Sequence, residues 1–421
     1  MIVGGTVRVP GDKSITHRAL MLAAMARGTS HLGGALTSLD VRSTAGALRL
    51  LGAGISPLRA GTVVRVDGRG RLRTPRGPLD CGNSGTTARL LAGLLAAHRF
   101  SATLTGDRSL RRRPMRRVTE PLSVMGARFD PPGSDALPLT VRGGRLAPIR
   151  WDLPVSSAQI KASILLAAMA AGVTASLREP AGLSRDHTER MLRAFGHGCE
   201  DRGGRIEFTP AGRVERFEMQ VPGDASSAAF LVGAAVLAEA GDVTIEDVGV
   251  NPTRSGYLAV LRRMGATVAI DDVDVRFGEP VGRLRAVPAR LFATEIAGGE
   301  VAGLVDEVPL LAVLASRAEG VTVFREVGEL RVKESDRLAL VAANLRAVGT
   351  RAEASGDTLH VEGGEAPPRG RICTAGDHRL AMAFAVLGTV RGARVSIDDP
   401  GCVAVSFPDF PDALRSIRRR A

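Results

Sequence analysis

The stretch "VPGDKSITHRALMLAAMARG" spans residues 9–28, and "VPGDASSAAFLVGAAVLAEAG" spans residues 221–241. One chain opens a helix twice in nearly the same words, and four other stretches share the form. Short polar turns recur as "PGDKS" from Pro10, "CGNSG" from Cys81, "VSSAQ" from Val155, "PGDAS" from Pro222, "VDEVP" from Val305 and "AGDHR" from Ala375. Their spacing runs from 67 to 83 residues, so six units consume the chain. Each turn precedes an Ala/Leu-rich run such as "RALMLAAMAR" or "ARLLAGLLAA", apolar nearly all round as buried helices are. A β-rich segment follows in most units, then an amphipathic helix ending at Gly, a natural C-cap, and in several units two closing strands.

The unit therefore reads βαβαββ, six times, and internal repeats outrank local assignments in deciding a fold. A chain of 421 residues exceeds what one core fills, so three units per domain are expected. Residues 12–221 form the first expected domain, and residues 1–11 with 222–421 form the second. The matching stretches at 9–12 and 221–224, stiffened by Pro and turned by Gly, are then the two strands of a hinge.

Composition narrows the function. Four widely scattered cysteines without a CxxC pair fit a reduced, cytoplasmic protein with neither disulfide framework nor zinc site. No apolar run is long enough to span a bilayer, and the N-terminus lacks the pattern of a signal peptide. The net charge of +12 invites nucleic acid or small anions, or marks only an Arg-rich surface. The densest basic run, "RSLRRRPMRR" (108–117), has no aromatic for base stacking, which weakens the nucleic-acid reading. Of 56 basic residues only Lys13, Lys161 and Lys333 are lysines. An ammonium is a compact point charge that a guanidinium fork does not replace, so these three mark places where chemistry holds the residue type.

The polar turns sit at helix N-termini, which favour anions. Simple capping accounts for Asp224 and Ser226, and Asp377 is read as a cap. It does not account for the added cations. Ser14 and Arg18 share a helix face with Lys13 at its mouth, and "GNSGTT" (82–87) offers small residues and backbone N–H groups. In "RVKESDR", Lys333, Glu334 and Arg337 are expected within one helical turn, placing a carboxylate between two cations. Asp306 precedes an apolar helix, and His378 and Arg379 open the last one. Many cations with two carboxylates, Asp306 and Glu334, suit a phosphorylated substrate and acid/base chemistry. The absence of Walker, GxGxxG and HExxH motifs points away from nucleotide and metal, so no cofactor is expected.

These motifs resemble, in family order and over essentially the full length, the 5-enolpyruvylshikimate-3-phosphate synthases. The resemblance rests on "GDKSITHR", "GNSGTTAR", "RRPM", "SSAQIK", "SRDHTE", "NPTR", "VDEVP", "RVKESDR", "GDHRLAM" and "SFPDF". "SAQIK", "RDHTE" and "NPTR" resemble the family's second class, whose members often tolerate glyphosate. Gly85 keeps the glycine whose replacement accompanies tolerance, so inhibitor response stays open. The resemblance implies a two-domain inside-out α/β barrel with the active site in the interdomain cleft. It implies transfer of the enolpyruvyl group of phosphoenolpyruvate to the 5-hydroxyl of shikimate 3-phosphate with release of phosphate, in the shikimate pathway to chorismate and aromatic amino acids. The implied enzyme is a cytoplasmic monomer acting on small anions, not on nucleic acid or membrane.

By matching position, Lys13, Gly85, Arg113, Gln159, Arg337 and Arg379 would hold phosphoenolpyruvate. Lys13, Ser14, Arg18, Ser157, Gln159, Ser184, Asp306 and Lys333 would hold shikimate 3-phosphate. Glu334 would protonate the methylene, Asp306 would take the hydroxyl proton, and Lys13 would assist elimination. Val405 stands where many members carry a lysine on phosphoenolpyruvate; Ala158, His187 and Glu329 also depart from the best-known pattern. Lys161 and Arg185 are expected to carry part of the anion-binding load. The nearest rival is the sister transferase acting on UDP-N-acetylglucosamine, which uses a loop cysteine; here Arg108 stands at about that place.

Overall fold

In the computed structural model, which describes residues 1–180 and 183–419, every one of the six polar turns opens a helix. These helices are Lys13–Met25, Gly85–Ala96, Ala158–Ala171, Ala225–Val236, Val308–Ala315 and His378–Leu387. Four are capped through a side chain. Asp12 accepts from the Ile15 N–H at 2.9 Å, and Ser84, Asp224 and Asp377 likewise accept from the first turn of their helices. The helices are apolar on all sides because they are enclosed on all sides: every residue of Ala225–Val236 is buried. Small residues let them approach closely. A Cβ on Gly93 would stand 2.1 Å from the Ser163 carbonyl oxygen of the neighbouring helix.

The chain divides into two compact units. The first comprises Gly11–Val221 with Val275–Glu279; the second comprises Met1–Pro10, Pro222–Asp274 and the chain from Pro280 onward. Each has its own apolar core. In the first unit, Leu79–Asp80 pairs parallel with Ser101–Thr105, which pairs antiparallel with Leu139–Arg142 and through it with Arg128–Asp130. Ile149–Asp152, Ala175–Arg178, Arg205–Thr209 and Gly198–Asp201 repeat that order. The third sheet takes its parallel strand from far along the chain: Glu218–Gln220 pairs with Arg27–Gly33, which continues to Val64–Arg69 and Gly54–Ile55.

The second unit mirrors this exchange. Ile2–Arg8 supplies the parallel strand for Ala240–Gly249, followed by Glu279–Ala286 and Val268–Arg276. Glu295–Ile296, Val321–Phe324, Thr358–Glu362 and Arg351–Ser355 form a regular copy. The sixth repeat departs from the expected βαβαββ. Arg369–Ile372 and Arg394–Ile397 pair only with each other, and the chain then turns through Pro400–Val405 and the helix Phe410–Ser416. Its last strand, Arg418–Arg419, joins the sheet of Ile2–Arg8 instead. The Pro- and Asp-rich "DDPGCVAVSFPDFPDA" leaves no alternating run from which to build a closing hairpin.

Among the described residues the strands form six separate open sheets beside buried helices, the mixed α/β class expected. The second helices of the five complete repeats end alike, at Gly52, Gly126, Gly196, Gly265 and Gly349, all with φ between 83° and 117°. No helix among the described residues is long and apolar enough to cross a membrane.

Candidate active site

The expected site residues fall into two clusters, one in each unit. In the first unit they gather where the three buried helices begin. Lys13 opens its helix and ion-pairs with Asp40 at 3.1 Å. One turn on, Arg18 is buried; its Nη1 donates to the Ser14 carbonyl at 2.8 Å and its Nε to Thr188 Oγ1 at 2.6 Å. Burial lowers the pKa of Arg18 to about 10, opposed by Glu189 and Asp12. Behind it His17 bonds Thr44 at 2.7 Å, and burial, with Lys13 and Arg18 nearby, holds its pKa well below the usual imidazole value.

Gly85 is the first residue of its helix, facing two arginines. A Cβ there would stand 3.1 Å from Arg89 Nη1 and 3.5 Å from Arg113 Nη1. Arg113 donates to Asn83 Oδ1 at 2.5 Å and to Ser109 Oγ at 3.3 Å. Gln159, in the first turn of its own helix, accepts from Arg89 Nη1 at 2.5 Å and donates to Thr86 Oγ1 at 3.1 Å. Ser157 holds the N-cap position of that helix without a side-chain cap bond. Arg89 was not singled out from the sequence, although it lies inside the quoted "GNSGTTAR". Its spacing of four from Gly85, on one helix face, is the signal that finds it.

Lys161, expected among the anion-binding cations, is wholly enclosed instead. Its Nζ lies 2.8 Å from Glu179 Oε2 and 2.7 Å from Glu189 Oε1. Ser184 is buried beside it, donating from Oγ to Glu179 Oε1 at 2.5 Å. A lysine in the apolar run "IKASILLAAMAA" must carry counter-charges inward, which explains its placement. His187 bonds Glu279 at 2.8 Å, both buried, and so is not presented as a surface residue.

The second unit gathers the carboxylates. Arg337 is the first residue of the helix Arg337–Ala347 and is 1% exposed. Its Nε meets Asp377 Oδ2 at 2.8 Å, Nη1 meets Asp306 Oδ1 at 3.2 Å and Nη2 meets Glu334 Oε2 at 2.5 Å. Burial pulls its pKa down, and the three carboxylates more than offset this and raise it. Asp377 is held below the ordinary carboxylate value because Arg337 outweighs its burial. Asp377 is thus the expected cap and an ion-pair partner at once.

Arg379 lies 3.7 Å from the other Asp306 oxygen through Nη2, and its Nη1 donates to the Asp306 carbonyl at 3.1 Å and Ser226 Oγ at 3.0 Å. Ser226, read from the sequence as a simple capping residue, also bonds Glu307 and Arg254. Lys333 and Glu334 do not lie within one helical turn with Arg337; they form a bend before the helix, and Lys333 faces Glu329 at 3.9 Å. The Glu334–Arg337 contact survives because a three-residue spacing spans that bend. Val405 is half-buried and ends the Pro400–Val405 turn.

Comparison with known proteins agrees with this architecture. A family model described as EPSP synthase (3-phosphoshikimate 1-carboxyvinyltransferase) matches residues 2–414. The chain is 44% identical over 416 residues to the 3-phosphoshikimate 1-carboxyvinyltransferase of Desulforamulus reducens, covering 98% of this chain and 96% of that one. It is 45% identical to the protein of that name from Gluconobacter oxydans, covering 99% and 95%. The solved EPSP synthase of Acinetobacter baumannii superposes with a TM-score of 0.87 at 38% identity, over 99% of this chain and 96% of the other. The enolpyruvyl transferase NikO from Streptomyces tendae shares the fold, with a TM-score of 0.78 at 19% identity over 99% of this chain and 95% of that chain. The chain belongs to the EPSP synthase family.

Proposed function

We propose that this chain is a 3-phosphoshikimate 1-carboxyvinyltransferase of the shikimate pathway, and that both clusters serve its one reaction. Family membership over the whole chain supports the activity. The observation that carries the assignment of roles is the sharing of Arg337 by Asp306 and Glu334. Glu334, with its side chain 25% exposed, donates a proton to the methylene carbon of phosphoenolpyruvate, leaving cationic character at C2. The 5-hydroxyl oxygen of shikimate 3-phosphate bonds to C2 while Asp306 takes its proton. The tetrahedral adduct then returns a methyl proton to the Glu334 carboxylate and expels phosphate, restoring the enol ether. Lys13 assists this elimination.

Lys13, Arg113, Gln159, Arg337 and Arg379, beside Gly85, hold phosphoenolpyruvate. Lys13, Ser14, Arg18, Ser157, Gln159, Ser184, Asp306 and Lys333 hold the acceptor. Cations on this scale are what two phosphorylated substrates need, because each would otherwise repel the other. The protein acts as a cytoplasmic monomer on small anions, without nucleic acid, membrane or cofactor. Phosphate release from phosphoenolpyruvate tests the reading, with shikimate 3-phosphate and UDP-N-acetylglucosamine compared as acceptors. Turnover with the first alone is expected; turnover with the second alone overturns it.

A further inference from the structure

Ser184 is held at three of its atoms by one buried ion pair. Glu179 accepts the Ser184 backbone N–H on Oε2 at 3.0 Å and the hydroxyl on Oε1 at 2.5 Å. Lys161 Nζ donates to the Ser184 carbonyl at 3.2 Å and to Glu179 Oε2 at 2.8 Å. Backbone donor, backbone acceptor and side chain are thus all fixed by Lys161 and Glu179. Both charged groups are sealed, with side-chain exposures of 0% and 1%. On the far side of the same ammonium sits Glu189, 2.7 Å away and 3% exposed, in the helix His187–Ala194. That helix also carries Thr188, the partner of Arg18 at 2.6 Å. The cluster therefore runs from Arg18 to Ser184, two residues assigned above to the acceptor.

Stability alone is a poor account of such a cluster. A buried ion pair replaced by apolar residues of like volume often leaves a protein no less stable, because desolvation offsets the Coulomb attraction. Nor does an arginine substitute for Lys161 here. Three acceptors lie around one point, on Glu179, Glu189 and Ser184, and a rotatable ammonium satisfies them where a planar fork aims its donors elsewhere. This explains why the position remains lysine in a chain whose other basic residues are nearly all arginine.

We propose that Lys161 and Glu179 are positioning residues for substrate recognition: they touch no substrate, and they act by fixing Ser184 for the phosphorylated acceptor. The proposal rests on the functional reading above. Without the pair, the serine retains its hydroxyl and loses its single orientation, so the acceptor alone is bound less well.

The test measures KM for shikimate 3-phosphate and for phosphoenolpyruvate separately, with thermal unfolding recorded alongside. The variants are Ser184→Ala, Glu179→Gln and the double variant. Ser184→Ala and Glu179→Gln are each expected to raise the acceptor KM about tenfold, the scale of one hydrogen bond to a charged group. The KM for phosphoenolpyruvate should change less than about twofold, and the double variant should match the worse single one, since both act through one contact. Multiplicative losses in the double variant, or equal losses for both substrates, overturn the proposal. If Glu179→Gln fails to fold, Glu179→Asp takes its place: it keeps the charge and shortens the reach, and an unchanged acceptor KM there overturns the proposal too. Failure of the wild-type protein to use shikimate 3-phosphate at all would instead refute the underlying functional reading.

Discussion

The two units bury their arginines differently. In the first, Arg18 and Arg113 are held by neutral acceptors: a threonine hydroxyl and a backbone carbonyl for one, an asparagine amide and a serine for the other. In the second, Arg254, Arg337 and Arg379 lie against Glu307, Asp224, Asp306, Glu334 and Asp377. The contrast shows in acidity. Burial without a full counter-charge lowers Arg18 to about 10, whereas three carboxylates raise Arg337. A guanidinium satisfied by dipoles keeps its field and awaits an anion. One satisfied by carboxylates shares that field with the acids it holds in place. Under the proposed function, the first unit's arginines keep their field for phosphate groups, while Arg337 and Arg379 divide theirs between the carboxylates and phosphoenolpyruvate.

Four experiments break or sharpen this contrast. The largest effect is expected at Glu334→Gln, which removes the proposed proton donor and keeps its shape. Turnover should fall ~100- to 10,000-fold, with the unfolding temperature nearly unchanged. Steady-state phosphate release checks this, and near-normal turnover would leave the second unit without its acid.

Next comes a pair. Arg337→Met strands three carboxylates and should cost about 3–5 kcal/mol in urea unfolding. Arg113→Met loses bonds to neutral partners and should cost about 1 kcal/mol, while raising KM for phosphoenolpyruvate. Equal costs would erase the distinction between the units.

Third, the second unit should be the acid-labile one. Asp377 has a folded pKa below its ordinary value, so its stabilisation is complete above the unfolded pKa of about 3.9 and fades as pH falls through the lower folded value. Asp377→Asn should flatten the dependence of unfolding free energy on pH below about 4, and leave it unchanged near neutrality. An unaltered acid limb would place the acid sensitivity elsewhere.

The smallest effect belongs to Gly85→Ala. The added methyl meets Arg89 at 3.1 Å and Arg113 at 3.5 Å, ends of flexible side chains that shift by tenths of an ångström. A few-fold rise in KM for phosphoenolpyruvate is expected with stability held or slightly raised, since alanine favours helix. A large loss of stability would mean that these guanidiniums are less yielding than the geometry implies.

Much of this was legible from residues alone, for a physical reason. A polar turn before an apolar helix is a local signal, and all six marked turns open helices. The incomplete sixth repeat was not legible, since missing strands leave no motif to notice. Lys161 was noticed for its rarity and misplaced, because rarity does not say whether a cation faces inward or outward. Its setting in a fully apolar helix did say so, and Glu179 and Glu189 follow once the burial is accepted. Glu307 was overlooked beside Asp306 because two adjacent carboxylates look alike in sequence. Only folding sends one toward Arg254 and Ser226 and the other to Arg337.

The borrowed strands bear on how the chain emerges from the ribosome. Ile2–Arg8 is made well over two hundred residues before its parallel partner, which begins only at Ala240. At ~5–20 residues per second, that wait lasts roughly 10–50 s. Meanwhile the third sheet of the first unit can close once Glu218–Gln220 appears, whereas Ile2–Arg8 still waits with unanswered backbone groups. Translation speed and chaperone access, rather than final stability, would then decide how much of this protein matures or aggregates.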